Sequence, residues 1–248
     1  MSFNYISLKE IPLQTRDYSY MKENEQVKVV SSFELLTQEK FVGINNAICW
    51  KRNLKGNFEE IVQKLSLLDD ITEVSTKDLL NLNLSELGTI ARDTILQDIK
   101  NLTNFGAQPS LNLLKCYQRD DEFDFISTDV YSYHVDRSPI LMDTYLCTYH
   151  GAASDIIPNT DCIQKILIPE VREKLNQLYK GPSTGFETFL EENFFDLHYS
   201  ALPNAKPTNL GLGHLWRLAV DHPEQVVLPC VHRAPKENDN ELRLMLIC

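Results

Sequence analysis

The sequence predicts an α+β protein with a mainly helical part over residues 1–110 and a jelly-roll, or double-stranded β-helix, over residues 111–248. Apolar residues recur at helical spacing before residue 110, and short β-branched and aromatic runs separated by turn signals follow it. The 248 residues, 43% of them hydrophobic, suffice for one large domain with a sizeable core. We therefore expect a single domain, residues 1–248, whose N-terminal helices pack on one sheet.

The helical part contains two segments with an apolar face. Residues 57–68 and about 85–104 repeat apolar side chains every three or four positions. Ser75 and Ser85 are candidate N-caps for a short and a long helix, because a serine hydroxyl accepts a hydrogen bond from a free backbone N–H of the first turn. An earlier apolar run, residues 41–50, is a possible strand.

Strand-like runs fill the C-terminal half. Alternating or β-branched stretches bounded by turn residues are typical of a jelly-roll. A helical insert near residues 168–195 interrupts them, with Gly181-Pro182 as a helix stop. The predicted strands cover residues 110–118, 125–136, 140–149, 214–220, 226–234 and 242–248.

Charge and cysteine content limit the function classes. The net charge is -11 and the densest basic stretch, residues 51–55, holds three cations, so we expect no nucleic-acid partner. No apolar run approaches the roughly 18 residues of a membrane span, and residues 1–20 lack the apolar core of an export signal. Six scattered cysteines without a CxxC pair indicate reduced, mostly buried thiols rather than a zinc site. We expect a cytoplasmic protein without a membrane partner.

His134-Val135-Asp136 is the pattern that carries chemistry. It lies at the end of a predicted strand, where residues two apart point to the same face. An imidazole and a carboxylate are thus offered together to one cation. Non-haem Fe(II) oxygenases use two histidines and one carboxylate on one face of the metal and leave the other positions open.

His232 is the candidate for the second histidine, and Arg243 is the candidate cosubstrate anchor. His232 shares a strand face with Val226, Leu228 and Cys230. Arg243 lies inside the last apolar strand, where an unpaired guanidinium is costly and a carboxylate is its natural partner. A dicarboxylate cosubstrate would provide that partner. The alternatives are a packed core histidine, and an arginine that reaches solvent or pairs with an acid of this chain.

Two other patterns are weaker. His222-Pro223-Glu224 also has the His-x-acid spacing, but it falls in a polar turn. Residues 181–185 match the Gly-x-Ser-x-Gly pattern of serine hydrolases, with Asp196 and His198 downstream. That nucleophile needs a strand before it and a helix after it, whereas a predicted helix precedes it here.

Three segments of the sequence resemble a known family. The resemblance runs from about residue 28 to the C-terminus and is carried by AICWKR (47–52), YHVDRSPILMDTYLCTYHGAASDIIPN (133–159) and CVHRAPKENDNELRLMLI (230–247). They resemble a bacterial domain family of unknown function that is itself similar to the iron(II)/2-oxoglutarate-dependent dioxygenase superfamily. The chain departs from that pattern at residues 152–154, where Ala-Ala-Ser replaces a Gly-Thr-type turn.

The resemblance implies specific roles. His134, Asp136 and His232 would hold Fe(II), and Arg243 would bind the far carboxylate of 2-oxoglutarate. The ligating atoms should then lie within about 4 Å of one another without the metal.

Tyr145 and Thr148 follow the His-x-Asp turn and are further candidates to hydrogen-bond the far carboxylate of 2-oxoglutarate. They lie on opposite faces of their strand, so at most one can do so. The sequence thus favours an iron(II)/2-oxoglutarate-dependent oxygenase acting on an unknown substrate. The alternative is a jelly-roll binding or interaction module with a vestigial or structural metal site.

Overall fold

Two β-sheets and several helices form the mixed α+β structure of this chain, for which a computed structural model describes residues 26–248. Residues 1–20, on which the expected lack of an export signal depends, lie outside the described residues. Over residues 26–248, no helix combines the length and the apolar character needed to cross a membrane.

The strands of the described residues form one sheet of seven and one of six. The seven-stranded sheet has the order β1-β2-β11-β6-β13-β4-β3, and the six-stranded sheet has the order β10-β7-β12-β5-β9-β8. The strands are β1 (Val27–Val30), β2 (Ala47–Trp50), β3 (Ile71–Glu73), β4 (Ser110–Leu114), β5 (Tyr133–His134), β6 (Thr144–His150), β7 (Asp155–Ile157), β8 (Cys162–Gln164), β9 (His198–Ala201), β10 (Thr208–Asn209), β11 (Leu215–Leu218), β12 (Val231–Arg233) and β13 (Arg243–Ile247).

The helices begin at the expected caps. Ser75 forms a capping box with Asp78, and the Ser85 hydroxyl accepts from the Gly88 N–H at the start of the longest helix. Gly106 ends that helix at φ 99°, a left-handed conformation that glycine adopts without a Cβ clash. The α-helices are α1 (Phe33–Gln38), α2 (Phe58–Lys64), α3 (Thr76–Asn81), α4 (Glu86–Phe105), α5 (Pro169–Leu178) and α6 (Phe186–Glu192).

The N-terminal helices pack on one face of the seven-stranded sheet, as predicted. Their buried apolar residues, among them Ile61 and Ile95, share one core cluster with Cys147 of β6 and Leu246 of β13. The opposite face of this sheet forms a second core. There Met245 of β13 packs with Ile156 of β7 and with Cys230, which precedes β12. The inner faces of the two sheets therefore meet.

The mainly helical part before residue 110 also contributes β1, β2 and β3 to the seven-stranded sheet, and β2 lies within the run 41–50. Two predicted strands were too long. The strand predicted over 125–136 is reduced to β5, because the Asp129 side chain accepts hydrogen bonds from the backbone N–H groups of Tyr131 and Ser132 and forms a turn there. The strand predicted over 226–234 is reduced to β12.

A buried ion pair ties α4 to the sheet beneath it. Arg52 donates to Asp98 over 2.6 Å, and the other Asp98 oxygen accepts from the Tyr149 hydroxyl over 2.7 Å. The Asp98 side chain is 2% exposed. Breaking such a pair leaves an uncompensated charge in the interior, which is far more costly than losing an exposed ion pair.

Asp98→Ala should therefore lower the free energy of unfolding by about 3–5 kcal/mol, because it leaves Arg52 buried without a counter-ion. Urea denaturation measures this loss. Asp93→Ala removes an exposed ion pair with Arg92 on the same helix and serves as the control, with an expected cost of about 0–1 kcal/mol. Equal losses in the two variants would contradict a central role for the Asp98 pair.

Candidate metal centre

β5 and β12 bring the predicted histidines together. The two strands are antiparallel, with His134 directly opposite His232. On β5 and just after it, Tyr133 and Val135 pack in the core on the outer face of the six-stranded sheet. Since side chains alternate along a strand, His134 points to the inner face, toward the other sheet.

The three predicted ligands form one cluster. One ligand atom from each of His134, Asp136 and His232 lies within 4.8 Å of the other two. The Asp136 carboxylate is 3.9 Å from His134 Nε2 and 3.6 Å from His232 Nε2. These two distances meet the expectation of about 4 Å, whereas the three atoms as a set lie within 4.8 Å, somewhat wider than expected.

Backbone carbonyls fix how the two imidazoles present their nitrogens. His134 Nδ1 is 2.8 Å from the Ser132 carbonyl oxygen, and His232 Nδ1 is 3.2 Å from that of Cys230. A carbonyl only accepts, so each Nδ1 carries the proton and each Nε2 keeps its lone pair free. Metal-binding histidines are oriented in this way in proteins generally. The donor set therefore fits a divalent cation.

Electrostatics favour the metal-binding protonation states of His134 and Asp136. Burial and the neighbouring His232 lower the pKa of His134 to about 4, so its imidazole is neutral at pH 7. Burial raises the pKa of Asp136, but His232, His134 and the Thr144 hydroxyl outweigh burial and bring that pKa below its usual value. The Thr144 hydroxyl donates to Asp136 over 2.6 Å. A neutral imidazole and an ionised carboxylate are the forms that coordinate metals.

Arg243 is buried without a carboxylate. It is 4% exposed, and it donates from Nε to the Ala152 carbonyl over 2.7 Å. Of the eight arginines in residues 26–248, seven form ion pairs with an Asp or Glu, and Arg243 forms none. Burial accordingly lowers the pKa of Arg243. It shares the inner face of β13 with Met245, whose sulfur it contacts at 3.5 Å.

The structure separates the two candidates on β6. Tyr145 is 1% exposed in the helix-side core and makes an edge-to-face contact with Phe105 of α4, so it faces away from the metal cluster. The suggestion that Tyr145 binds a cosubstrate was therefore wrong, and the reason is strand alternation. Thr148 lies on the inner face, buried and opposite Met245 of β13.

Three residues near the cluster escaped sequence reasoning. Thr144 supports Asp136, and Tyr117 lies beside Arg243, with the guanidinium 5.9 Å from the centre of its ring. His198 pairs directly with His134 across β9 and β5, so that three histidines line up on neighbouring strands. Burial, His134 and Lys165 lower the pKa of His198 to about 3. The sequence around His198 does not predict its place beside His134, because only the register between β9 and β5 brings the two residues together.

A pocket of about 250 Å³ opens beside the cluster. His134 and Asp136 line it together with His198, Thr128 and Phe194. Among the described residues, neither His232 nor Arg243 contributes to its lining. The pocket gives access to the cluster beside His134 and Asp136, and Arg243 does not reach into it.

The weaker patterns gain no support. His222 lies in an exposed turn, where its Nδ1 accepts from the Glu224 N–H. Residues 181–185 connect α5 to α6, so a helix rather than a strand precedes Ser183. The six cysteines are free; three are buried and three are partly exposed.

Comparison of the chain with protein-family models, with curated proteins and with solved structures finds no match. The geometry of the cluster is therefore the basis for any functional assignment.

His232→Ala should weaken binding of a divalent metal by more than about 100-fold, because supporting residues alone typically contribute about 10–100-fold. Isothermal titration calorimetry with Fe(II) under anaerobic conditions measures the affinity. His222→Ala removes the histidine of the other His-x-acid pair and should leave the affinity unchanged. Loss of binding in both variants, or in neither, would contradict the assignment.

Thr144→Val tests the support of the carboxylate. The change keeps the volume but removes the hydroxyl that donates to Asp136, so we expect metal affinity to fall about 10–100-fold. The same titration measures it. Thr148→Val, on the same face of β6, is the matched control, and an equal loss there would point to a general effect on the strand.

Proposed function

We propose that this chain is a non-haem iron(II)/2-oxoglutarate-dependent oxygenase built on a jelly-roll core. One observation carries the proposal: a cluster of two imidazoles and one carboxylate lies on the inner face of one sheet, while the opposite sheet holds the only described arginine without a carboxylate partner. The first feature suits a metal and the second suits an acidic cosubstrate.

The strand order supports the jelly-roll. β4, β5, β6 and β7 fall alternately in the seven-stranded and the six-stranded sheet, and β10, β11, β12 and β13 alternate again after the helical insert. Within the sheets this gives the neighbours β11-β6-β13-β4 and β10-β7-β12-β5, all antiparallel. Two four-strand sets that alternate between facing sheets are typical of a jelly-roll. β1, β2, β3, β8 and β9 then extend the sheet edges.

The donor set suits Fe(II). Two histidines with one carboxylate, leaving coordination positions open, are characteristic of non-haem Fe(II) oxygenases, whereas structural zinc sites are closed by four ligands. His134, Asp136 and His232 would hold the ion. Bound Fe(II) with 2-oxoglutarate supplies the activation of O₂, while the protein contributes orientation and a pocket that limits water.

Arg243 would bind the far carboxylate of 2-oxoglutarate. Its guanidinium is buried, carries no protein carboxylate and can pair bidentately with a ligand carboxylate. Tyr117, which lies beside Arg243, could donate its hydroxyl to the same carboxylate, because a tyrosine O–H seeks an acceptor when buried. Thr148, on the inner face of β6, is the other candidate donor. Protein groups already in place would thus bind and orient the cosubstrate.

The remaining expectations on partners are part of this proposal. The net charge of -11 disfavours polyanionic substrates, so a small molecule or a protein side chain is the better candidate. The pocket beside His134 and Asp136 offers such a group a route to the cluster.

Anaerobic addition of Fe(II) and then 2-oxoglutarate should produce the weak visible charge-transfer band of the metal–keto acid chelate. Arg243→Leu should weaken 2-oxoglutarate binding by about 2–4 kcal/mol, the range for truncating one partner of a buried charge pair. Metal affinity should stay unchanged, and the fold should survive because an unpaired buried guanidinium contributes little stability.

Arg233→Leu is the control for this change. Arg233 lies next to His232 on β12 but pairs with Asp155 and stacks on Tyr133 at the outer face, so its loss should not alter 2-oxoglutarate affinity. Metal binding without any 2-oxoglutarate band would instead favour an interaction module with a structural metal. If Arg243→Leu unfolds most of the protein, and the fraction that stays folded binds 2-oxoglutarate with unchanged affinity, then Arg243 has a structural role and does not bind the cosubstrate.

A further inference from the structure

A second pocket adjoins the one beside the metal cluster. The first, of about 250 Å³, contains His198, Asp129 and Phe194 in its wall. The second, of about 270 Å³, shares Thr128 with it. The Asp120 N–H donates to Asp129 over 3.1 Å, so the walls of the two pockets are joined directly. The two adjoining pockets, called the groove below, extend from His134 and Asp136 past the 120–130 loop to Phe189 of α6.

His198 has a buried polar atom that no protein group satisfies. The residue is 4% exposed, and its Nδ1 has no hydrogen-bond partner among residues 26–248. Its ring centre lies 5.8 Å from that of His134. Buried imidazole nitrogens are normally paired, because leaving one unsatisfied is costly. An unpaired nitrogen in the wall of a pocket is therefore well placed to bond a ligand.

Phe194 is held in an unfavourable conformation at the pocket mouth. Its φ is 59°, in the left-handed region, where a bulky side chain is rare. The ring is 57% exposed although it is apolar. Backbone strain of this kind costs on the order of 1–3 kcal/mol and tends to occur at ligand-binding positions. The exposed Phe194 side chain thus forms part of the groove wall.

The charges around the groove are mainly acidic. Asp120, Asp129 and the exposed Glu122 line it. Of the facing cations, Lys165 is flanked by Asp120 and Asp129, and Arg137 is paired with both Asp196 and Asp221. Carboxylates therefore outnumber the unneutralised cations, and the groove favours a positively charged ligand over an anion.

We propose that this groove binds a substrate carrying a primary ammonium or guanidinium group on an apolar body, an inference that rests on the proposed function. The cation would lie near Asp129 and Glu122, with an N–H donated to His198 Nδ1. The Phe194 ring would contact the cation or the adjoining carbon chain, since a cation over an aromatic face is attracted by the ring. The metal cluster lies at the inner end of the same groove.

Three probes of equal length test the charge requirement: n-hexylamine, 1-hexanol and hexanoate. Each is titrated into the full chain loaded anaerobically with Fe(II) and 2-oxoglutarate, and saturation-transfer NMR measures its affinity. We expect n-hexylamine to bind most tightly, and we expect its affinity to fall as salt is added, because partly exposed charges are screened.

Two pairs of variants localise the binding. Glu122→Gln should weaken n-hexylamine about threefold, as expected for one partly exposed charge, while Asp124→Asn, an exposed neighbour paired with Lys174, should not. Phe194→Gly removes the aromatic ring and should weaken binding. Asn240→Gly is its control, because Asn240 is the other described non-glycine residue at positive φ and lies outside the groove. His198→Leu should weaken n-hexylamine with no change in Fe(II) affinity.

The outcomes separate this inference from the function on which it rests. Failure of the wild-type chain to bind Fe(II) and 2-oxoglutarate overturns the proposed function. Normal metal and cosubstrate binding, with 1-hexanol or hexanoate bound as tightly as n-hexylamine, overturns the cation site alone. If n-hexylamine binds most tightly but none of Glu122→Gln, Phe194→Gly and His198→Leu weakens it, the cation binds elsewhere and the proposed location is wrong.

Discussion

The pairing of β5 with β12 is the interaction on which the candidate site depends. These short strands meet at one register pair, His134 opposite His232, and they are held in place by β9 on one side and β7 on the other. A slip of one residue would turn one imidazole to the opposite face of the sheet, because side chains alternate. The position of both metal-facing nitrogens is thus a property of the whole six-stranded sheet rather than of the two strands alone.

Two buried arginines illustrate different uses of the same chemical group. Arg52 is matched by Asp98, and the pair joins a helix to the sheet. Arg243 forms no ion pair with a carboxylate; Tyr117 and, through its charge, Glu237 offset part of the cost of its burial, but burial outweighs them and lowers its pKa. The difference is explained if the missing negative charge belongs to a ligand. Stability then requires that Arg52 be paired within the chain, whereas ligand binding requires that Arg243 have no carboxylate partner in the chain.

Local signals made part of this structure predictable. The caps Ser75 and Ser85 and the spacing of His134 and Asp136 depend on neighbours in sequence, and the structure agrees with them. The place of His198 depends on which strands pair and in what register, information that one sequence does not carry.

β13 follows every other described strand in the sequence, yet it lies between β6 and β4 in the middle of its sheet. Strands β6 and β4 share no other neighbour, so their facing edges stay unpaired until β13 joins both of them. Contacts between distant parts of a chain also form slowly, since loop closure precedes the gain from pairing. Insertion of β13 should therefore be a late step of folding, and Arg243, the first residue of that strand, would reach its buried position only then.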